Sequence, residues 1–321
     1  MKRFSLWLFC VLMLISYLHV LAQKPVMVIL DTDMDSDVDD VGALAMLHAY
    51  EREGKARILG IIVTSDDLYS AACTDAINTY FGRKDIPIGV SQNDSLKSFS
   101  KYTQKIASEF PHTITSNAVA ENGTAVYRRL LAGQPDHSVV IVTIGHLTSL
   151  NKLLSSPPDA ISKLSGKALV ALKVKAWSCM GGQFPSGKEA NFYRPDPAST
   201  VACLAAWKLP VTFAGWEVGN QIVTGGASLK TNTNPSSPVY RAYELYNQFK
   251  GRASWDQISV LEAIEGPETY FSVVKNGNCV VSPDGSNLWN ENVRSYNHGY
   301  LTIKSPVQEI SQRIDHLMQS R

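Results

Sequence analysis

The sequence predicts a single large α/β domain with a mostly parallel, Rossmann-like sheet flanked by helices, and three observations carry that expectation. Residues 25 to 30 form a short continuous apolar run, followed by a helical pattern over residues 41 to 47. The same alternation returns as 58 to 63 followed by 69 to 81, and as 139 to 144 followed by 147 to 154. A strand buried on both faces reads as such a run, and a helix after each one provides the crossover that parallel strands need. Third, 321 residues at 45% hydrophobic content suffice for one extensive core, and no linker, charge block or internal repeat favours two. Later strands are expected over 169 to 174, 211 to 214 and 300 to 303. Later helices are expected over 198 to 207, 239 to 249, 257 to 264 and 307 to 318.

Before the first strand, Lys2 and Arg3 precede an apolar run from Phe4 to Leu21 that ends in Val20-Leu21-Ala22. That pattern predicts an export signal over residues 1–22, removed from a mature domain spanning 23–321, rather than a stable membrane anchor. A secreted or periplasmic location follows from it. Without Lys2 and Arg3 the chain carries 28 basic residues against 29 acidic, a near-neutral balance that gives no reason to expect nucleic acid as a partner. Cys73, Cys179, Cys203 and Cys279 lie far apart without a CxxC pair, so buried free thiols are expected in place of a disulfide framework. Asn93 and Asn122 head N-x-S/T triplets that accept glycans only in a eukaryotic secretory pathway. A homo-oligomer is left open.

In a sheet of this kind ligands bind beyond the carboxyl ends of the strands. After the first strand comes Asp31-Thr32-Asp33-Met34-Asp35-Ser36-Asp37-Val38-Asp39-Asp40, after the second Ser65-Asp66-Asp67, and after the third Gly145-His146. Six aspartates within ten residues repel one another unless a cation compensates them. Oxygen donors without a nearby His or Cys select a hard ion, Ca²⁺ or Mg²⁺, over zinc. An EF-hand does not fit, because counting from Asp31 its glycine and glutamate positions hold Ser36 and Gly42. An aspartate-nucleophile phosphatase of the haloacid dehalogenase kind also carries Asp-x-Asp after its first strand, but has Thr or Val where this chain has Asp35.

The chain resembles the inosine-uridine-preferring nucleoside hydrolases. Their Asp-x-Asp-Pro-Gly-x-Asp-Asp is matched by Asp31-Thr32-Asp33 and Asp39-Asp40, with two additional residues between and no Pro-Gly. In order follow Val142 to Thr148, similar to a family strand ending in Gly-x-Leu-Thr; Met180-Gly181-Gly182 with Glu189-Ala190-Asn191; and Ser254-Trp255-Asp256, where the family has His-Asp or Trp-Asp before a helix. The similarity runs from about Pro25 to Ala263. It implies one Ca²⁺ bound by Asp33, Asp40, Asp256 and the main-chain carbonyl of Ile144, with Asp33 also the general base. It further implies ribose contacts from Asp39, Glu189 and Asn191. Asp67 falls where the family has a substrate-binding amide, and Trp255 where some members place a histidine that serves the departing base.

The implied reaction is hydrolysis of the N-glycosidic bond of a ribonucleoside, releasing base and ribose, by a water activated on the metal. The residue types suit it. Cleaving the C1′–N bond builds positive charge on the sugar, which carboxylates stabilise, and a metal holding both vicinal hydroxyls fixes the ribose beforehand. A calcium-dependent nucleoside or sugar receptor without hydrolysis is the alternative from another class, and the dehalogenase-like phosphatase the alternative enzyme.

Overall fold

The computed structural model describes residues 24–65, 67–91, 100–293 and 297–320. The expected export signal and the Asn93 triplet lie outside these. The main sheet has nine strands in the order β11-β14-β8-β6-β5-β1-β2-β3-β4. They are β1 (Val26–Thr32), β2 (Ala56–Val63), β3 (Ile88–Val90), β4 (Glu121–Asn122), β5 (Val139–Thr143), β6 (Val174–Met180), β8 (Val211–Ala214), β11 (Phe271–Val274) and β14 (His298–Ile303). All neighbouring pairs are parallel except β11 with β14. Two small antiparallel sheets lie outside it: β9 (Val223–Thr224) with β10 (Arg252–Ala253), and β12 (Asn278–Val281) with β13 (Asn287–Asn290) and β7 (Ser186–Gly187).

Two apolar layers enclose the sheet. On one face helices Asp39–Arg52, Trp255–Glu265 and Val307–Gln319 pack together, and the first of them is buried at every position from Asp39 to Tyr50. That burial explains why Val41 to Leu47 is apolar all round instead of striped. On the other face lie helices Gly123–Ala132, Thr148–Ser155, Gly166–Lys173 and Pro197–Ala206. Among the described residues no helix is long and apolar enough to cross a membrane. The four described cysteines are free and buried.

The first three expected strands, found as β1, β2 and β5, and the helices that follow them lie where the apolar pattern predicts, whereas the pattern does not foresee β3 and β4. One expected strand, 169 to 174, is corrected: residues 169 to 173 fall in helix Gly166–Lys173, and the strand, β6, begins only at Val174. Ser165 is the physical reason, since its hydroxyl accepts from Ala168 N at 3.3 Å and caps a helix there. Within the apolar run Ala168 to Val170, Leu169 and Val170 are the buried side chains of the helix.

At the centre of the site edge, β1 ends in a buried carboxylate, Asp31. Its oxygens accept from Thr64 Oγ1 at 2.6 Å, Tyr127 OH at 2.8 Å, and Ser149 Oγ at 2.6 and 2.8 Å. Burial pushes its pKa up to about 6, and these hydroxyls oppose the shift. Because the donors come from the end of β2 and from helices Gly123–Ala132 and Thr148–Ser155, the network ties the first crossover to the second layer. Tyr127→Phe should therefore destabilise the fold by about 1.5–3 kcal/mol, the usual cost of a hydrogen bond to a charged group, while leaving the cavity residues in place. Urea unfolding checks this, and an unchanged midpoint would mean that the network does not hold the layers together.

Candidate active site

A cavity of about 400 Å³ opens at the carboxyl ends of the central strands. The loop after β1 supplies its acidic floor. Met34 takes a left-handed φ of 41° in this loop, which for a non-glycine residue must be held by its surroundings. Asp40 holds it: Oδ1 accepts from Met34 N at 3.1 Å and from Thr32 Oγ1. Gly145, after β5, permits the loop's close approach, because a Cβ there would lie 2.8 Å from Asp33 N. Asp33 faces the cavity, partly exposed.

Asp39 and Asp40 open helix Asp39–Arg52, and Asp256 lies in the first turn of Trp255–Glu265. The packing of these helices brings the three buried carboxylates together, with one oxygen of each within 4.8 Å of the others. Asp39 Oδ2 accepts from Asp256 N at 3.4 Å, whereas its Oδ1 is buried without a partner. Burial first, and then the neighbouring aspartates, raise Asp33, Asp39 and Asp256 well above the ordinary carboxylate range. Asp40 rises to about 7 through burial, opposed by its bonds from Thr32 and Met34. Helix N-termini stabilise such charges only by fractions of a kcal/mol to about 2 kcal/mol, too little for so many desolvated groups. An oxygen-only cluster with an orphaned buried oxygen fits a hard divalent cation.

Asp35 and Asp37, in the stretch that is longer than the family pattern, belong to a brace. Asp37 pairs with Arg252 at 2.7 Å and accepts from Tyr246 OH at 2.9 Å, while Tyr102 OH donates to its carbonyl at 2.7 Å. Asp35 accepts from Ser65 Oγ at 2.8 Å. The Arg252 guanidinium also lies over the Trp255 ring, 4.6 Å from its centre, and Trp255 Nε1 donates to the Trp216 carbonyl at 3.0 Å. Trp216, Arg252 and Trp255 thus make one wall of the cavity.

The opposite wall comes from β5, β6 and the segment after them: His146, Met180, Glu189, Asn191, Arg194 and Pro195. Glu189 Oε1 accepts from Asn191 N at 2.9 Å and Oε2 from Gly182 N at 3.0 Å, and burial pushes its pKa up to about 7 against these bonds. Asn191 Nδ2 donates to the Ile144 carbonyl at 3.2 Å and faces Met180. His146 Nδ1 lies 3.0 Å from Thr148 Oγ1, and Thr148 in turn donates to Asp196 at 2.8 Å. Burial brings the His146 pKa down to about 4, and its Nε2 is buried with no partner.

Of the residues singled out in the sequence, Asp33, Asp39, Asp40, Ile144, Glu189, Asn191, Trp255 and Asp256 all line this one cavity. Asp67 does not. Its Oδ1 accepts from Tyr69 N and Thr103 Oγ1, both at 2.9 Å, so its carboxylate braces the turn after β2. Asp39, Asp40 and Asp256 bring one oxygen each within 4.8 Å of one another, and Asp33, expected as a ligand, lines the same cavity. The sequence reading gave no role to His146, Trp216 or Arg252. The first two directly follow strand ends, a position that is itself the available signal, whereas Arg252 is placed by tertiary packing.

Comparison with curated proteins finds no match. Among solved structures the chain is similar to an inosine-uridine preferring nucleoside hydrolase from Bacillus anthracis, with 15% identity, a TM-score of 0.69, and coverage of 92% of this chain and 99% of that one. A plant nucleoside hydrolase gives 15% identity and a TM-score of 0.67 over 92% of this chain and all (100%) of that one. The type III effector protein XopQ, solved with adenosine diphosphate ribose, gives 16% and 0.70 over 92% and 94%. At such identities these likenesses establish the fold. The profile of the family described as inosine-uridine preferring nucleoside hydrolase matches residues 28–300, so the chain belongs to this family of enzymes that hydrolyse the N-glycosidic bond of nucleosides.

Proposed function

We propose that this enzyme is a Ca²⁺-dependent ribonucleoside hydrolase in which Asp33 is the general base. The observation that carries the proposal is the buried group Asp39, Asp40 and Asp256, with an orphaned oxygen, on the floor of a cavity that also holds Asp33. These three carboxylates hold the cation, and the Ile144 carbonyl offers it the lone pair that Asn191 does not use. Bound there, the ion supplies a chelation point for the two vicinal hydroxyls and polarises water toward hydroxide.

The chain's own groups account for the rest. Asp33 takes a proton from the attacking water, whose oxygen bonds to C1′ as the C1′–N bond breaks and its electron pair leaves with the base. Burial and the neighbouring carboxylates raise the Asp33 pKa above the ordinary carboxylate range, which makes it a stronger base. The surrounding carboxylates stabilise the positive charge that develops on the sugar. Asn191 Oδ1 is left for a sugar hydroxyl, since its Nδ2 is engaged, whereas Glu189 holds the loop through the Asn191 and Gly182 amides. Trp255, fixed by Arg252 and the Trp216 carbonyl, offers an aromatic face to the departing base. The basic start and apolar run of residues 1–22 support export, placing a mature enzyme that begins at Gln23 outside the cytoplasm.

Two outcomes follow. Delivery of water opposite the base inverts the anomeric carbon, so a β-nucleoside should give α-ribose first, as proton NMR recorded before mutarotation can show. Asp33→Asn should lower kcat by roughly 10²–10⁴ with a smaller effect on KM. Initial β-ribose, or binding of nucleosides with no release of base, would remove this mechanism; the second outcome is that of a receptor.

The cluster also sets a pH dependence. Carboxylates whose folded pKa is raised stabilise the fold below their unfolded value, ordinarily about 3.9 for Asp, and lose that contribution as pH rises through the folded value, about 7 for Asp40. The chelated enzyme should therefore lose stability between pH 5 and pH 8. Ca²⁺ should raise Tm more at pH 8, where the ligands are ionised, than at pH 5. Scanning calorimetry with and without chelator checks this; an equal calcium shift at both pH values would contradict it.

A further inference from the structure

A departing base takes the electron pair of the C1′–N bond, and the wall of the cavity that receives it offers no proton. Trp255 has no titratable group, and its one donor, Nε1, is already given to the Trp216 carbonyl at 3.0 Å. The carboxylates on the cavity floor favour positive charge on the sugar and do nothing for negative charge on the base. The reaction therefore calls for a positive group beside the base.

Among the described residues of that wall, Trp216, Arg252 and Trp255, Arg252 alone carries such a charge. Three groups hold its guanidinium. Nη2 pairs with Asp37 Oδ2 at 2.7 Å, and the guanidinium lies 4.6 Å from the centre of the Trp255 ring and 5.8 Å from that of Tyr246. Asp37 is itself shared, because its Oδ1 accepts from Tyr246 OH at 2.9 Å. The Arg252 Nε is buried with no hydrogen-bond partner, so Asp37 satisfies one end of the guanidinium and leaves the rest of it unpaired. A guanidinium keeps its proton at any physiological pH, and one fixed in advance stabilises new charge without reorganisation. A base placed against Trp255 is near this charge on either face of the indole. On the face that Arg252 covers it meets the guanidinium directly, and on the other a single ring separates the two.

We infer that Arg252 stabilises the negative charge that the departing base acquires as the C1′–N bond breaks, in place of a side-chain acid. This rests on the ribonucleoside hydrolase reading above. The electron pair of the broken bond stays on the base nitrogen, and the proton of the attacking water goes to Asp33. The base takes its own proton from solvent after it leaves, and Arg252 keeps all of its protons. The longer acidic loop thus has a second use, since its Asp37 anchors the cation that faces the base.

The test compares inosine with p-nitrophenyl β-D-ribofuranoside, whose nitrophenolate carries its charge without help, in calcium-loaded wild-type enzyme, Arg252→Lys and Arg252→Met. Methionine keeps an apolar stem against Trp255 and removes the charge. In Arg252→Met, kcat for inosine should fall roughly 10²-fold, as on losing one preorganised donor, and kcat for the aryl riboside by a far smaller factor. Arg252→Lys, which keeps the charge, should retain most of the inosine rate. Calcium affinity, read by isothermal titration calorimetry, should change little in either variant, and Arg252→Gln decides the matter if Arg252→Met does not fold. Equal losses on both substrates, or a calcium affinity that falls in step with the rate, make Arg252 a support of the acidic loop and overturn the inference. A wild-type enzyme that cleaves neither substrate overturns the hydrolase reading itself.

Discussion

The structure is organised around the cost of burying mutually repelling carboxylates. Asp39, Asp40 and Asp256 cannot all be ionised at neutral pH without a compensating charge, because they lie within 4.8 Å of one another and out of water. At that separation the repulsion between unit charges is several kcal/mol even at an effective dielectric constant of about 20. No basic side chain enters the cluster among the described residues. Arg252 comes nearest, and its ion pair is with Asp37. The arrangement is thus stable with a hard cation in place, and poor as mere architecture.

Other parts of the fold maintain that arrangement. Thr32 and Met34 spend their donors on Asp40 to shape the loop after β1, and Gly145 lets this loop lie against the end of β5. Behind them Asp31, a carboxylate of the same sequence run, is saturated by Thr64, Tyr127 and Ser149. Buried Asp31 and partly exposed Asp33, two residues apart, therefore have different roles. Asp31 lies within β1 among hydroxyl donors, and Asp33 lies just past the strand's end, at the cavity.

Much of this was legible in the sequence, for physical reasons. Apolar runs followed by helical patterns marked β1, β2 and β5 with their helices, since strands buried on both faces have few other ways to appear, whereas the short β3 and β4 left no such run. The aspartate run marked the site because strand ends in parallel sheets are where ligands bind. Propensity alone misplaced residues 169 to 174, where an apolar stripe of a capped helix resembles a buried strand. Asp67 stands where the resembled family has a substrate-binding amide, and only the structure shows its Oδ1 accepting from Tyr69 N and Thr103 Oγ1. The gathering of Asp39 with Asp40 and Asp256 depends on how helices Asp39–Arg52 and Trp255–Glu265 pack. No local pattern encodes that packing, nor the meeting of Arg252 with Asp37 across the fold.

Elemental analysis of enzyme purified without chelator shows whether these carboxylates are the ligands of one calcium ion, as proposed. About one calcium per chain is expected from the ligand count of the site, and its loss in Asp256→Asn. Wild-type enzyme that is fully active with no bound divalent cation would contradict the proposal.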